Sequence, residues 1–573
     1  MSDEHKGISR RELIGGGVTA GIAAAIGGAA TLGGPGAPAA EAQGRAAAAA
    51  QTPAADEELV FVNGRIHTMD AKNTIVTTVS MRNGRFTRVG GTAPRAAAGL
   101  RIIDLRGRTV VPGIIDNHNH IVLMGNRPGY HTPLENAASI ADVQATIAAR
   151  VKTAPPGAWI TTIGGFHRNH LVPPGQMPRF PTRAELDAAA PNNPVYISES
   201  FFGPSCTNTM GKAFFEKQTP PIPVGDDGSI ANGAPGTGRA TLALRQALLN
   251  PAERKRGALD AMNYGLSLGV TTHLDQGAFQ ATNMPSDGAA HEDNYSMSAP
   301  FIALHGEGRL PARLRVNFLH QDATAELTTL TERLRNSFKF FGDDMVRTGG
   351  IGEFIAGGGG PNSPMVEAAK RIARAGWRAE VHSLSATDFQ QEIQAYEAAH
   401  AETPITDLRW VVAHVPLITE PWVNRLKAIG GGLSLTGWQY LAGTSRQGAA
   451  AGPPFRMIVD NGIHVGMSSD GMQIAPMNPW IHMYYAVTGM NARGDVINAG
   501  QQIKREEVLK LYTANNGWFL REEDRLGTIE TGKLADLAVL SQDYFAVPDA
   551  DLRKTRSVMT VVAGKIVHDE KAL

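Results

Sequence analysis

Two histidines spaced i, i+2 end a run of β-branched residues, Val110-Val-Pro-Gly-Ile-Ile-Asp-Asn-His-Asn-His120. Side chains alternate faces along a strand, so His118 and His120 emerge on one side. Two imidazoles held this way make half of a divalent-metal site. An isolated pair would also fit a polar core or loop, so the reading depends on partners. Glu353, His382, His414 and Asp470 supply them, each near the end of a strand-like run. The intervals of 29 residues from Glu353 to His382 and 32 from there to His414 suit single strand–helix units. Imidazoles with one or two carboxylates favour Zn²⁺, with Mn²⁺, Fe²⁺ and Co²⁺ compatible.

The elements that must position these groups alternate between strand and helix. Strand-like runs occupy 113–120, 269–275, 314–320, 350–355, 378–382, 408–414, 432–436 and 463–470, and helical patterns fill 364–375, 387–400 and 421–429. Eight parallel strands with intervening helices imply an α/β fold of the (β/α)8 barrel type, whose active groups gather at the C-terminal strand ends. The gap after the first strand exceeds a loop. Residues 129–250 hold strand-like runs at 158–163 and 194–198 and a helical pattern at 183–190, so an inserted subdomain is expected over the barrel mouth as a lid. Alternating patterns with Asn-Gly and Arg-Gly turns fill 58–70, 74–89 and 101–111, and matching patterns fill 526–540 and 557–568. One β-sandwich module built from 57–112 and 525–573 is therefore expected to flank a barrel domain at 113–524.

Composition narrows the partners. Lys+Arg and Asp+Glu both number 54 in 573 residues, so no global field draws the chain to nucleic acid; the small-molecule substrate expected here follows from the metal-site residues and not from composition. The single cysteine, Cys206, excludes an intramolecular disulfide. Ser9-Arg10-Arg11-Glu12-Leu13-Ile14 is a twin-arginine pattern, followed by an uncharged Gly/Ala run and A-x-A sites at Ala37-Pro-Ala39 and Ala40-Glu-Ala42. These predict an export signal over 1–42 read by the twin-arginine machinery, a linker over 43–56, and a periplasmic or secreted enzyme. A homo-oligomer is left open.

From about residue 57 to the end the chain resembles the amidohydrolase superfamily, in particular its YtcJ-like branch, which includes N-substituted formamide deformylases. The carrying motifs are Pro112-Gly-Ile-Ile-Asp-Asn-His-Asn-His120, Gly269-Val-Thr-Thr272, His382, His414, Ser468-Ser-Asp470 and Leu526-Gly-Thr-Ile-Glu-Thr-Gly-Lys-Leu-Ala-Asp536, with Pro181-Thr-Arg-Ala-Glu-Leu-Asp187 and Thr207-Asn-Thr209 in the insert. The resemblance implies hydrolysis of an amide-like C–N bond, linear or cyclic, with Asp470 as both metal ligand and general base and acid. Ester or lactone hydrolysis, isomerisation, or a non-catalytic metal-binding role are the alternatives.

One departure stands out. Much of this branch carries a metal-bridging carboxylated lysine on strand four, and Gly349-Gly-Ile-Gly-Glu-Phe354 has none. Lys339 lies upstream in a helical pattern, which leaves Glu353 as the nearest oxygen ligand. Two metals bridged by Glu353, a single metal, and lost activity all stay open. Trp438, Tyr440 and His167 are weaker candidates for substrate contact. Gly357-Gly-Gly-Gly360 lacks the phosphate-loop frame and reads as a strand-four loop.

Overall fold

Eight short, mostly buried strands, mixing apolar residues with polar ones, carry the candidate residues within them or just past their ends. They are β1 (Ile114–Asn119), β2 (Val270–Asp275), β3 (Arg313–Phe318), β4 (Val346–Ile351), β5 (Glu380–Ser383), β6 (Val411–His414), β7 (Gly432–Thr436) and β8 (His464–Ser468). The computed structural model describes residues 57–573 apart from 172–175, 201, 278–293, 358–362, 443–449 and 473. The expected signal and linker at 1–56, and Gly358 to Gly360 of the glycine run, lie outside the described residues.

The eight strands form two four-stranded parallel sheets, ordered β4-β3-β2-β1 and β5-β6-β7-β8. Backbone bonds link the sheets at both edges. Ile351 N donates to Arg378 O at 2.9 Å and His382 N to Glu353 O at 3.0 Å; on the other side Asp470 N donates to His118 O at 2.9 Å and His120 N to Gly471 O at 2.6 Å. Helices Met365–Arg374, Ala386–Glu402 and Glu420–Ala428 follow β4, β5 and β6. The helix Ala386–Glu402 starts at a capping box between Ser385 and Asp388 and buries Phe389, Ile393 and Tyr396.

Strand four lies earlier than the sequence suggests. It spans Val346–Ile351, so Glu353 sits two residues past its end rather than inside a strand at 350–355. The glycines explain the offset. A Cβ on Gly350 would lie 2.8 Å from Arg378 O, and one on Gly352 2.6 Å from Glu380 O. Only bare backbone lets this segment close against β5 and deliver Glu353 to the strand ends. Lys339 is in a turn after the helix Thr328–Asn336, not in a helix, and its Nζ donates to Gly376 O at 3.1 Å.

Between β1 and β2 a separate five-stranded sheet runs in the order Ser229–Ile230, Ser205–Thr207, Val195–Ser198, Ile160–Ile163, Tyr130–His131. It has its own core of Val143, Ile147, Leu186, Val195 and the buried Cys206. The two ends of the described chain share a six-stranded sheet. Thr109–Pro112 pairs in parallel with Arg65–His67 and antiparallel with Leu537–Leu540, Leu537 opposite Pro112. This sheet and the four-stranded sheet containing Glu58–Val62 contribute Phe61, Met81, Val110, Leu537 and Val561 to one apolar cluster. Among the described residues no helix is long and apolar enough to cross a membrane.

A buried ion pair ties β3 to the C-terminal segment. Arg313 Nε and Nη2 donate to the Asp536 carboxylate at 2.7 and 2.8 Å, and Asp536 Oδ1 also accepts Ala563 N at 2.8 Å. Removing one partner strands the other charge in the interior. Asp536→Ala is expected to cost about 3–5 kcal/mol, measured as a lowered midpoint in denaturant unfolding.

Candidate metal centre

All six sequence-identified polar residues converge, and they do so as two groups that share Glu353: His118, His120, Glu353 and Asp470 form one, and Glu353, His382 and His414 the other. Each residue in a group offers a nitrogen or oxygen within 4.8 Å of the others. Glu353 Oε2 lies 3.2 Å from His118 Nε2, 2.7 Å from His382 Nδ1 and 3.4 Å from His414 Nε2. Its Oε1 lies 3.3 Å from His120 Nε2, which is also 3.3 Å from Asp470 Oδ1. The carboxylate is thus shared between both histidine pairs.

Local backbone explains how the side chains reach this point. His118 and His120 alternate along and just beyond β1 onto one face, while His414 and Asp470 adopt φ of +70° and +55° at or just past the ends of β6 and β8. Left-handed backbone at a non-glycine residue is held by its surroundings and gathers at functional sites. Behind the cluster, Asp116 accepts Ser469 N at 3.0 Å and Asn119 Nδ2 at 2.9 Å, locking β1 to the segment before Asp470.

The electrostatics fit a cation. Burial disfavours a charged His118, yet hydrogen bonds and charge from Glu353 and Glu380 outweigh it and push the imidazole up to about 10. His120 is raised against burial by Glu353 and Asp470. The carboxylates move the other way: burial would raise both, but His382 and His120 hold Glu353 well below the usual carboxylate range, and His414 and His120 lower Asp470. Protons on the imidazoles therefore supply the positive charge that the two carboxylates demand, the charge a divalent ion would bring. His118 Nε2 and Asp470 Oδ2 are buried with no aligned hydrogen-bond partner, which is costly unless another group completes them. The donor set of imidazole nitrogens and carboxylate oxygens suits a divalent metal.

Glu380 was not picked out from the sequence, although it stands two residues before His382 and shares its face. Its Oε1 lies 2.6 Å from His118 Nδ1, so it fixes the ring and leaves Nε2 directed at the cluster. Glu380→Gln is expected to weaken metal affinity about 10–100-fold, read by competition with a chelator. Gln276 was also missed; its backbone carbonyl accepts Glu353 N at 3.2 Å.

The weaker candidates sit as follows. Tyr440, 3% exposed, packs edge-on against Tyr484 at 5.9 Å and accepts Arg553 Nη1 at 3.1 Å. Trp438 is half-buried just past β7, its indole N–H buried without a hydrogen-bond partner. His167 lies between β1 and β2, in the segment that carries the five-stranded sheet; its Nδ1 accepts Asn169 N at 3.1 Å, and burial aided by Arg168 pushes it down to about 4. The segment after Ile160–Ile163 abuts the loop after Asp470: a Cβ on Gly165 would fall 1.8 Å from Met472 Sδ.

Known proteins share this chain's pattern. An N-substituted formamide deformylase from Arthrobacter pascens is 24% identical over 89% of this chain and 98% of its own. A metal-dependent hydrolase from Pyrococcus furiosus superposes with a TM-score of 0.56 at 20% identity, covering 85% of this chain and 100% of that one. Atrazine chlorohydrolase TrzN from Arthrobacter aurescens TC1, solved with zinc, gives 0.51 at 15% identity over 89% and 95%. The amidohydrolase family model matches residues 101–568, a span that takes in all six residues of the cluster, and the chain belongs to the amidohydrolase family.

Proposed function

We propose that this metal-dependent hydrolase cleaves an amide-like C–N bond in a small molecule, with N-substituted formamides the first substrate class to consider. The observation that carries the reading is Glu353, whose single carboxylate reaches both histidine pairs. Glu353 would stand in for the carboxylated lysine of much of the branch, and the two residue groups it joins would suit one or two divalent ions, with zinc the first candidate. His118, His120 and Asp470 would hold one ion, and His382 and His414 the other. The likeness to the formamide deformylase over nearly its whole length supports the substrate class.

A bound divalent metal lowers the pKa of water from 15.7 to roughly 7 and polarises a carbonyl oxygen. The chain's residues do the rest. Asp470 Oδ2, buried and without an aligned partner, accepts the proton of the attacking water and returns it to the leaving nitrogen. Glu380 holds His118 in one tautomer throughout. We read the two four-stranded sheets as a (β/α)8 barrel, the insert at 129–250 as its lid, and the terminal strands as a β-sandwich. The twin-arginine pattern at Ser9 to Ile14 supports export to the periplasm.

The test pairs chemistry with metal. The zinc-reconstituted protein is expected to release formate from N-substituted formamides, and exhaustive chelation should abolish the release until metal is restored. Turnover of esters alone, with no amide or formamide cleaved, would overturn the C–N assignment.

A further inference from the structure

Arg378, Glu380 and His382 follow one another at two-residue intervals into β5 and so share one face. His382 belongs to the metal cluster and Glu380 holds His118. Arg378 donates Nη2 to Glu380 Oε2. It is only 1% exposed, and its Nε and Nη1 are buried with no hydrogen-bond partner. Two guanidinium donors left unmade in the interior carry a heavy desolvation cost.

Arg378 borders a cavity of about 190 Å³ lined also by Arg315, Arg347, Arg521, Glu522 and Phe340. That volume is roughly six times the ≈30 Å³ share of a water molecule in the liquid. The four arginines around it are paired unequally. Arg315 is neutralised by Glu522 through bonds of 2.6 and 3.0 Å, and Arg378 faces Glu380. Arg347 Nε and Arg521 Nη1 instead donate to the backbone carbonyls of Asp343 and Asp407, at 3.0 and 2.7 Å. Carbonyls satisfy hydrogen bonds without neutralising charge, and the carboxylates near these two cations, Asp344 for Arg347 and Glu523 and Asp407 for Arg521, act on them through space. Of the four guanidinium groups only two are hydrogen-bonded to a carboxylate, Arg315 to Glu522 and Arg378 to Glu380, with open donors on Arg378 and two half-buried cations, Arg347 and Arg521, beside it.

We propose that this cavity, separate from the metal cluster, binds a small oxyanion, either phosphate or the carboxylate of a metabolite. Planar guanidinium groups recognise both through paired hydrogen bonds. The ligand would complete Arg378 on the side away from Glu380 and so sit one strand-face step behind the carboxylate that holds His118.

The experiment follows the melting temperature of the full chain during titration with sodium phosphate or sodium acetate, each against sodium chloride at equal ionic strength. A saturable rise beyond that with chloride is expected. Greater potency for phosphate identifies a phosphate site, and equal or greater potency for acetate a carboxylate site. In the Arg347→Gln/Arg521→Gln double variant the apparent Kd should weaken at least tenfold, which also separates this cavity from anion binding at the metal cluster. Phe340→Glu, which sets a carboxylate in the cavity wall without removing an arginine, should do the same. No saturable rise with either oxyanion, or wild-type affinity in both variants, would overturn the proposal.

Discussion

Asp470→Asn is expected to lower turnover about 10²–10⁴-fold, the range general acid–base groups contribute, while metal content stays close to wild type. Asparagine suits this test because of the backbone. Residue 470 sits at φ +55°, a region that Asn tolerates nearly as well as Asp, so the fold around it is kept. The amide oxygen can still occupy the position of Oδ1, 3.3 Å from His120 Nε2. What disappears is the ability to take a proton and give it back. Turnover and metal per chain measured on the same sample decide the matter: full turnover in the variant would remove Asp470 from proton transfer, and loss of metal would make it chiefly a ligand.

Glu353→Gln carries the second large effect. Two metal equivalents per chain are expected to fall to one or none, with turnover lost, because one side chain serves both histidine pairs. A single equivalent in both proteins would mean a mononuclear centre. Metal uptake should also depend on pH with a definite sign. His118 and His120 are raised in the metal-free cluster, His118 to about 10, so a metal must displace their protons. Apparent affinity should therefore tighten as pH rises from 6 toward 9 and weaken in acid. Removing the Glu353 charge takes away much of what raises both imidazoles, so the variant should show a flatter dependence.

Much of the centre was legible because it follows simple periodicities. The two-residue repeat put His118 and His120 on one face, and strand–helix spacing placed His382 and His414 at successive strand ends. Glu353 was legible as a residue and misplaced as a position. Gly350 and Gly352 carry no hydrophobic pattern, and their value lies in close backbone approach to the β5 segment, which only three dimensions reveal. Glu380 was hidden for another reason: in a short buried strand a carboxylate that supports a ligand and one that merely pairs with Arg378 look alike in sequence. Tyr440 shows the reverse difficulty. An aromatic residue just past a strand end suits a substrate pocket, but whether it faces the mouth or Tyr484 and Arg553 depends on how the short helix Gln439–Ala442 turns.

The six-stranded sheet has a consequence for how the protein is made. Pro112 pairs with Leu537, 425 residues later in the chain. At 5–20 residues per second a ribosome needs roughly 20–85 s to cover that distance. Throughout that interval one edge of Thr109–Pro112 lacks its partner, and Arg313, once made, waits for Asp536. Contacts of such long sequence separation make folding slow and leave open edges prone to association. A chain truncated before Leu537 is therefore expected to stay open along this edge and to be cut by protease more readily than the full chain.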